Sequence, residues 1–435
     1  MPRKRLHAPL RVLLNNRLVG HLEKEAGGAI SFRYDEKWAS LDDAVPVSLS
    51  LPLREDAYRG APVTAVFDNL LPDSDALRRR VAEKVGAAGI DAYSLLSEIG
   101  RDCVGALQFV PEGAEVIQKA SQVEGRIIGE KEIEKLLTNL ARTPLGLDRE
   151  PDFRISVAGA QEKTALLHYK GQWLKPRGTT PTTHILKTQI GTLPNGMDLS
   201  NSVENEYYCL KLLSGFGLPV NSAEIKVFGK ARALVIERFD RGWAKSGQPL
   251  RLPQEDFCQA LSCPPSRKYQ SEGGPGMVDI LKFLQGADAP AEDQKAFMKA
   301  QVLFWLLGAT DGHAKNFSIF LGPHGRFRMT PLYDVLSAQP SLDGGRIQRK
   351  QMKLAMSVGR SRHYRIEEIQ GRHFIQTAEA AGLPGSSAVD ALEEVAEAAD
   401  TTTRAMEKDL PPGFPRGIHI SITRGLSARL KRIEV

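Results

Sequence analysis

Two residue types used in moving a phosphoryl group onto a hydroxyl stand five positions apart in the stretch Leu303 to Phe320. Asp311 is a carboxylate able to take a proton, and Asn316 an amide whose oxygen can bind a hard cation. A second carboxylate, Asp334, lies eighteen positions past Asn316 (334 − 316), after the strand-like start of Phe327 to Leu336. A loop Asp, a loop Asn and a later Asp form a divalent-metal set, because magnesium keeps several waters and needs few protein oxygens beside phosphate oxygens. The reading is Asp311 as base, with Asn316 and Asp334 as Mg2+ ligands. Taken alone, Asp, Gly and Asn in this order suit an ordinary turn equally well.

The elements around the loop must hold it. Apolar residues at 303, 304, 306 and 307, with Gln301 and Trp305 among them, predict a largely buried helix over Phe297 to Gly308, and Phe317, Ile319 and Phe320 a short strand. Upstream, Thr182 to Thr188 is a β-branched, apolar run ending in Lys187, comparable to the V-A-I-K strand whose lysine pairs nucleotide phosphates. Its carboxylate partner is sought on the helix that begins near Leu199 and Ser200, where Glu206 is favoured with Glu204 close behind. In Arg154 to Lys163, Gly159 between Ala158 and Ala160 lets backbone amides approach an anion and Lys163 adds a point charge; an ordinary hairpin with an exposed Lys fits as well. By position, backbone groups of Glu237 to Phe239, at the end of a strand pair over Ser222 to Phe228 and Arg232 to Phe239, suit an adenine edge.

Length and composition bound these readings. A chain of 435 residues should hold two or three domains, and 25% charged with 42% hydrophobic residues is ordinary for a globular protein. A net charge of +6 favours nucleotides, acidic proteins or nucleic acid without choosing among them. Cys103, Cys209, Cys258 and Cys263 form no C-x-x-C pair, so neither a zinc site nor a disulfide framework is expected. The basic N-terminus lacks an apolar segment of signal length and Val302 to Leu307 is too short to span a bilayer, which predicts a cytoplasmic protein without membrane partners.

Residues 10 to 50 alternate around Asn-Asn and Gly-Gly turn signals and predict an antiparallel sheet; helices follow over Phe67 to Val85 and Tyr93 to Ile99, then a strand over Cys103 to Pro111. The expected boundaries are 1–110, an interaction or packing unit; 111–150, a connector with a helix over Glu130 to Leu140; 151–240, a β-rich nucleotide lobe; and 241–435, mostly helical. The exposed, polar loop Ser262 to Gly276 is a candidate substrate or regulatory surface.

In order along the chain, RISVAGAQEKTALL, PTTHILK, VENEYYCLKL, VIERFDR, LPQEDFCQ, GATDGHAKNFS and PLYDV together resemble the HipA family of bacterial serine/threonine kinase toxins, and FDNLLPDS resembles that family's N-terminal subdomain. The resemblance implies an α+β, two-lobed protein-kinase-like fold with an added N-terminal subdomain, and ATP and Mg2+ as cofactors. It further implies a HipB-type helix-turn-helix antitoxin that binds operator DNA, and glutamyl-tRNA synthetase as substrate. Carried over by motif, Val157, Ala158, Gly159, Ala160, Gln161, Glu162 and Lys163 cover the phosphates and Lys187 pairs them, while His313, Lys315 and Tyr333 lie at the nucleotide; Glu206, Glu237, Arg238 and Phe239 are added there by position alone. Ser156 matches the serine the family autophosphorylates; the residue pattern by itself suits a strand serine facing solvent. The helix around Phe374 to Gly382 has no basic residue, so DNA contact by this chain would fall to Arg424 to Arg432. A catalytically silent co-repressor, or a kinase for a small-molecule or lipid hydroxyl, are the other readings; an intact set of Lys187, Asp311, Asn316 and Asp334 favours the protein kinase.

Overall fold

Asn15 and Asn16 both adopt positive φ, 46° and 64°, which Asn tolerates and which a two-residue hairpin turn demands. They join Leu10–Leu14 to Arg17–Lys24, with Leu14 opposite Arg17, and so start an antiparallel sheet in the order Tyr58–Arg59, Ile30–Tyr34, Arg17–Lys24, Leu10–Leu14, Leu107–Pro111. The computed structural model describes residues 7–114, 123–147, 153–158 and 161–433. The chain divides into two compact units, one of Met1–Thr188, Lys226–Ser266 and Ile319–Arg326, the other of Gln189–Ile225, Arg267–Ser318 and Phe327–Val435.

In the first unit the helices Ala61–Asp68, Asp75–Val85 and Ala92–Ile99 cover the five-stranded sheet. Ser74 caps the second helix through Leu77 N–H and Gly86, at φ 75°, ends it. Phe67 meets Phe109 edge-on and Phe32 at a tilt in this core, with centroids 5.6 Å apart in each pair. A second sheet runs Ala223–Phe228, Ala231–Glu237, His184–Lys187, Lys163–Tyr169, Gln172–Pro176, Gly125–Ile127, and the helix Glu130–Thr138 buries Ile133 and Leu137 against it.

Asp102 ties these parts together. It is 2% exposed and accepts from Arg241 at 2.9 Å, Arg251 at 2.8 Å and the Thr182 hydroxyl at 2.7 Å, while Arg238 pairs with Asp240 at 2.7 Å. Burial pushes the Asp102 carboxyl up, but Arg241, Arg251 and Arg238 outweigh it and hold the group below the usual carboxylate range.

In the second unit the predicted buried helix starts earlier, spanning Pro290–Leu307, because Pro290 and the acidic Glu292 and Asp293 form a favourable first turn that apolar spacing does not reveal. Gly308, at φ 71°, ends it. The stretch expected to be mostly helical also holds a strand pair, Lys353–Val358 with His363–Arg365; Leu354 to Val358 are all buried, so no alternation marked it as strand. All four cysteines are buried free thiols. Among the described residues no helix is long and apolar enough to cross a membrane.

Glu255 offers a test of the first unit's packing. It is fully buried and accepts from Leu49 N–H at 2.8 Å; burial pushes its pKa up to about 8. A raised carboxyl pKa contributes stability that is complete below the unfolded-state value and is lost as pH rises through about 8. Glu255→Gln should therefore flatten the fall in Tm between roughly pH 5 and pH 9 that the wild type shows; equal slopes in both proteins would show that Glu255 is not the titrating group.

Candidate active site

The loop after Gly308 is closed by hydrogen bonds to one carbonyl. Asp311 O accepts from His313 N–H at 2.9 Å and from Asn316 Nδ2 at 2.8 Å, so the Asn316 amide is oriented and its Oδ1 is left as a hard oxygen. The Asp311 carboxylate is 55% exposed, where an incoming hydroxyl can reach it, and His313, 3% exposed, places Nε2 3.9 Å from Asp311 Oδ1. Gly312 lies against the Phe304 ring so closely that a Cβ would overlap it. Tyr333 donates to Lys315 O at 3.0 Å, and Ser318 Oγ, 2.6 Å away, then donates to the Tyr333 hydroxyl. Tyr333 and Lys315, expected at the nucleotide, brace the loop in this structure.

Asp334 is held by both ends of the helix Pro290–Leu307. Asp293 accepts from Met329 N–H at 3.0 Å and Arg328 Nε at 3.2 Å, while beyond Asp334 the Ser337 hydroxyl donates to Leu307 O at 2.6 Å and Ala338 N–H to Gly308 O at 2.9 Å. Asp334 itself adopts φ 57°, a left-handed conformation that costs energy outside glycine and concentrates at functional positions. Asn205, on the helix Ser202–Gly215, reinforces the segment by donating to Ser337 O at 2.8 Å and accepting from Ser337 N–H at 2.9 Å. On the same helix Glu204 accepts from Gln189 Nε2 at 2.8 Å; Glu206, 1% exposed, is the more deeply buried carboxylate.

The cations expected at phosphates belong to the first unit. Lys163 and Lys187 lie directly opposite each other in the antiparallel pair Lys163–Tyr169 with His184–Lys187, on one face and each 4% exposed. Like charges so placed repel, and burial withholds the water that would screen them, so each lysine needs polar partners. Lys163 also donates to Ala158 O at 2.7 Å. Gln161 Nε2 donates to Thr188 O at 2.8 Å, Glu162 pairs at the surface with Arg80 at 3.5 Å, and Val157 is buried. Gly159 and Ala160 lie outside the described residues.

Several expected residues take other places. Arg238 commits its amide N–H to Thr183 O at 2.9 Å and its guanidinium to Asp240, so its N–H is already spent within the sheet rather than open to an adenine edge. The Glu237 side chain, paired across from His184, points to the face opposite Lys187 and lines a cavity of about 570 Å³ with His168, His184 and Trp243. Phe239 packs edge-on against Phe320 at 5.8 Å. Ser156 is fully buried, its N–H on Asp102 O at 2.9 Å and its hydroxyl on Leu70 O at 2.7 Å, unlike the solvent-facing strand serine the pattern suits. In the basic C-terminal end Arg429 is buried and donates to Leu306 O at 2.7 Å, and burial pushes its pKa down to about 10, whereas Arg424 stays exposed and pairs at the surface with Asp343 at 2.7 Å.

Asn205 and Tyr269 were not found by sequence reasoning. Tyr269, in the polar loop singled out above, donates its hydroxyl to Asp311 Oδ1. Among the described residues no group of three or more His, Cys, Asp or Glu could hold a metal ion. The expected Mg2+ ligands, Asn316 and Asp334, carry hard oxygens of the type that suits a cation shared with phosphate.

Comparison with known proteins gives these features a context. The family model described as HipA N-terminal domain matches residues 10–110, and that described as HipA-like C-terminal domain matches 155–403. Y4mE of Sinorhizobium fredii, a protein named as a kinase, is 35% identical over 81% of each chain. The serine/threonine-protein kinase toxin HipA of Shewanella oneidensis is 29% identical over 75% of each chain. A solved Shewanella oneidensis assembly of HipA, HipB and operator DNA shares the fold with a TM-score of 0.79, 24% identity and 97% coverage of both chains.

The close approach of Gly312 to Phe304 makes the loop sensitive to one methyl group. Gly312→Ala should lower stability by about 1–3 kcal/mol, the usual cost of overpacking, read as a fall in Tm; an unchanged Tm would mean that the loop shifts freely.

Proposed function

The chain belongs to the HipA family, and from that premise we propose that it is a serine/threonine protein kinase that uses ATP and Mg2+ and acts as a growth-arresting, persistence-type toxin in the cytoplasm. The observation that carries this reading is the closed loop in which Asn316 binds Asp311 O while the Asp311 carboxylate stays exposed. Asp311 acts as the base: its carboxylate takes the proton of the acceptor hydroxyl as that oxygen attacks the γ-phosphorus. In the first unit Lys163 and Lys187 are the phosphate-binding charges; in the second, Asn316 and Asp334 would supply the metal's oxygen ligands, and Glu206 is assigned to the nucleotide. Bound Mg2+ contributes neutralisation of phosphate charge during transfer. Val157 to Lys163 form the phosphate-covering loop, with His313, Lys315 and Tyr333 at the nucleotide.

By organisation, residues 1–110 are assigned as the N-terminal subdomain, 111–150 as a connector, 151–240 as the nucleotide-binding lobe and 241–435 as the catalytic lobe. The resemblance of the motifs supports glutamyl-tRNA synthetase as the substrate and a HipB-type antitoxin as the restraint. Operator DNA is reached mainly through that antitoxin, a reading supported by the burial of Arg429 on Leu306 O. Ser156 is the regulatory position. A phosphate there adds about −1.5 to −2 charge, which a site with no exposure cannot accept without the 153–158 segment leaving its place.

Two substitutions separate the roles. Asp311→Ala should abolish phosphoryl transfer yet keep Mg-ATP affinity in calorimetry, since the base serves the acceptor, whereas Asp334→Ala should weaken Mg-ATP binding itself. Equal loss of binding in both would remove the assignment of Asp311 as base. Mass spectrometry bears on Ser156: phosphate should be present on purified wild type and missing from Asp311→Ala, and equal phosphate on both would exclude self-modification.

A further inference from the structure

The hydroxyl that meets the Asp311 carboxylate in this structure is the chain's own. Tyr269 donates its phenol to Asp311 Oδ1, and its ring stands edge-on to His313 with centroids 4.9 Å apart at 86°. Forty-two positions separate Tyr269 from Asp311, so this is no local turn contact.

The loop that presents Tyr269 is built. Tyr269 O accepts from Glu272 N–H and Gly274 N–H, both at 3.0 Å, which folds the turn around Gly273 at φ 90°. A Cβ at Gly274 would collide with Arg267 O, so the turn tolerates only glycine there. Ser357 N–H then donates to Gln270 Oε1 at 2.6 Å, fixing the next residue to the strand Lys353–Val358. Fixed on both sides of its Cα, the phenol is delivered to one oxygen of a carboxylate that stays 55% exposed.

We propose that Tyr269 is a specificity-determining residue that occupies the place of the acceptor hydroxyl on Asp311 Oδ1, so that only an acceptor able to displace the phenol from that oxygen is phosphorylated and water is kept from Oδ1. The inference rests on the kinase reading of Asp311. Chemically, the phenol is a placeholder: an acceptor serine or threonine hydroxyl takes over its hydrogen bond to Oδ1, gives its proton to Asp311 and bonds to the γ-phosphorus as the bond to ADP breaks. Water is the poorest competitor, because it brings no binding surface to offset the lost Tyr269 contact.

The test is ADP release from Mg-ATP with water as sole acceptor, in wild type, Tyr269→Phe, Asp311→Ala and the double variant. Phenylalanine keeps the ring on His313 and removes only the hydroxyl. Tyr269→Phe should release ADP several-fold faster than wild type with an unchanged KM for ATP, and Asp311→Ala should abolish release in both backgrounds. A rate in Tyr269→Phe equal to or below that of wild type overturns the inference, since a residue that merely braces Asp311 would be missed rather than relieved. Phosphate on Tyr269 itself overturns it too, by making the phenol a substrate. ADP release that survives Asp311→Ala removes the kinase reading of Asp311, a failure distinguishable from the other two.

Discussion

The last carbonyls of the helix Pro290–Leu307 have no partners within the helix, and each must find one elsewhere because this end is buried. Phe304 O and Trp305 O take Ala309 N–H and Gly308 N–H as the chain turns through the left-handed glycine; Leu306 O takes the Arg429 guanidinium, and Leu307 O the Ser337 hydroxyl. Satisfying those groups arranges the second unit's chemistry. The turn at Gly308 launches the Asp311 loop, and the Ser337 bond, doubled by Asn205, anchors the segment carrying Asp334. The same demand draws Arg429 inward and so removes it from any surface role.

The first unit answers a different problem with the same economy of partners. Asp102 satisfies Arg241 and Arg251 from inside the protein, and Ser156 N–H rests on Asp102 O. Buried ion networks of this kind add little net stability over apolar packing, but losing one member is costly. That asymmetry makes the segment containing Ser156 sensitive to added charge. On the neighbouring sheet Lys163 and Lys187 lie directly opposite each other, both buried.

What the sequence made legible follows from the range of the interactions. The five-residue spacing of Asp311 and Asn316 exposed the loop because the bond that closes it is local, and the Asn15-Asn16 turn was readable because backbone conformation selects residue type at short range. Tyr269 on Asp311, Asn205 on Ser337 and Arg429 on Leu306 O span 42, 132 and 123 positions, and no periodicity or spacing carries such pairs. The strand Lys353–Val358 was hidden for a related reason, since burial on both faces erases alternation. Arg238 shows the converse error: a position that looked available by analogy with a nucleotide hinge has its donors already engaged.

The central claim is that Asp311 makes this chain a protein kinase in the cell. Its most direct test compares the phosphoproteomes of cells expressing the wild type or Asp311→Gln at matched abundance. Phosphoserine or phosphothreonine sites present only with the wild type, on a protein other than this one, are the predicted result. Indistinguishable phosphoproteomes, with growth arrested equally by both proteins, would contradict it.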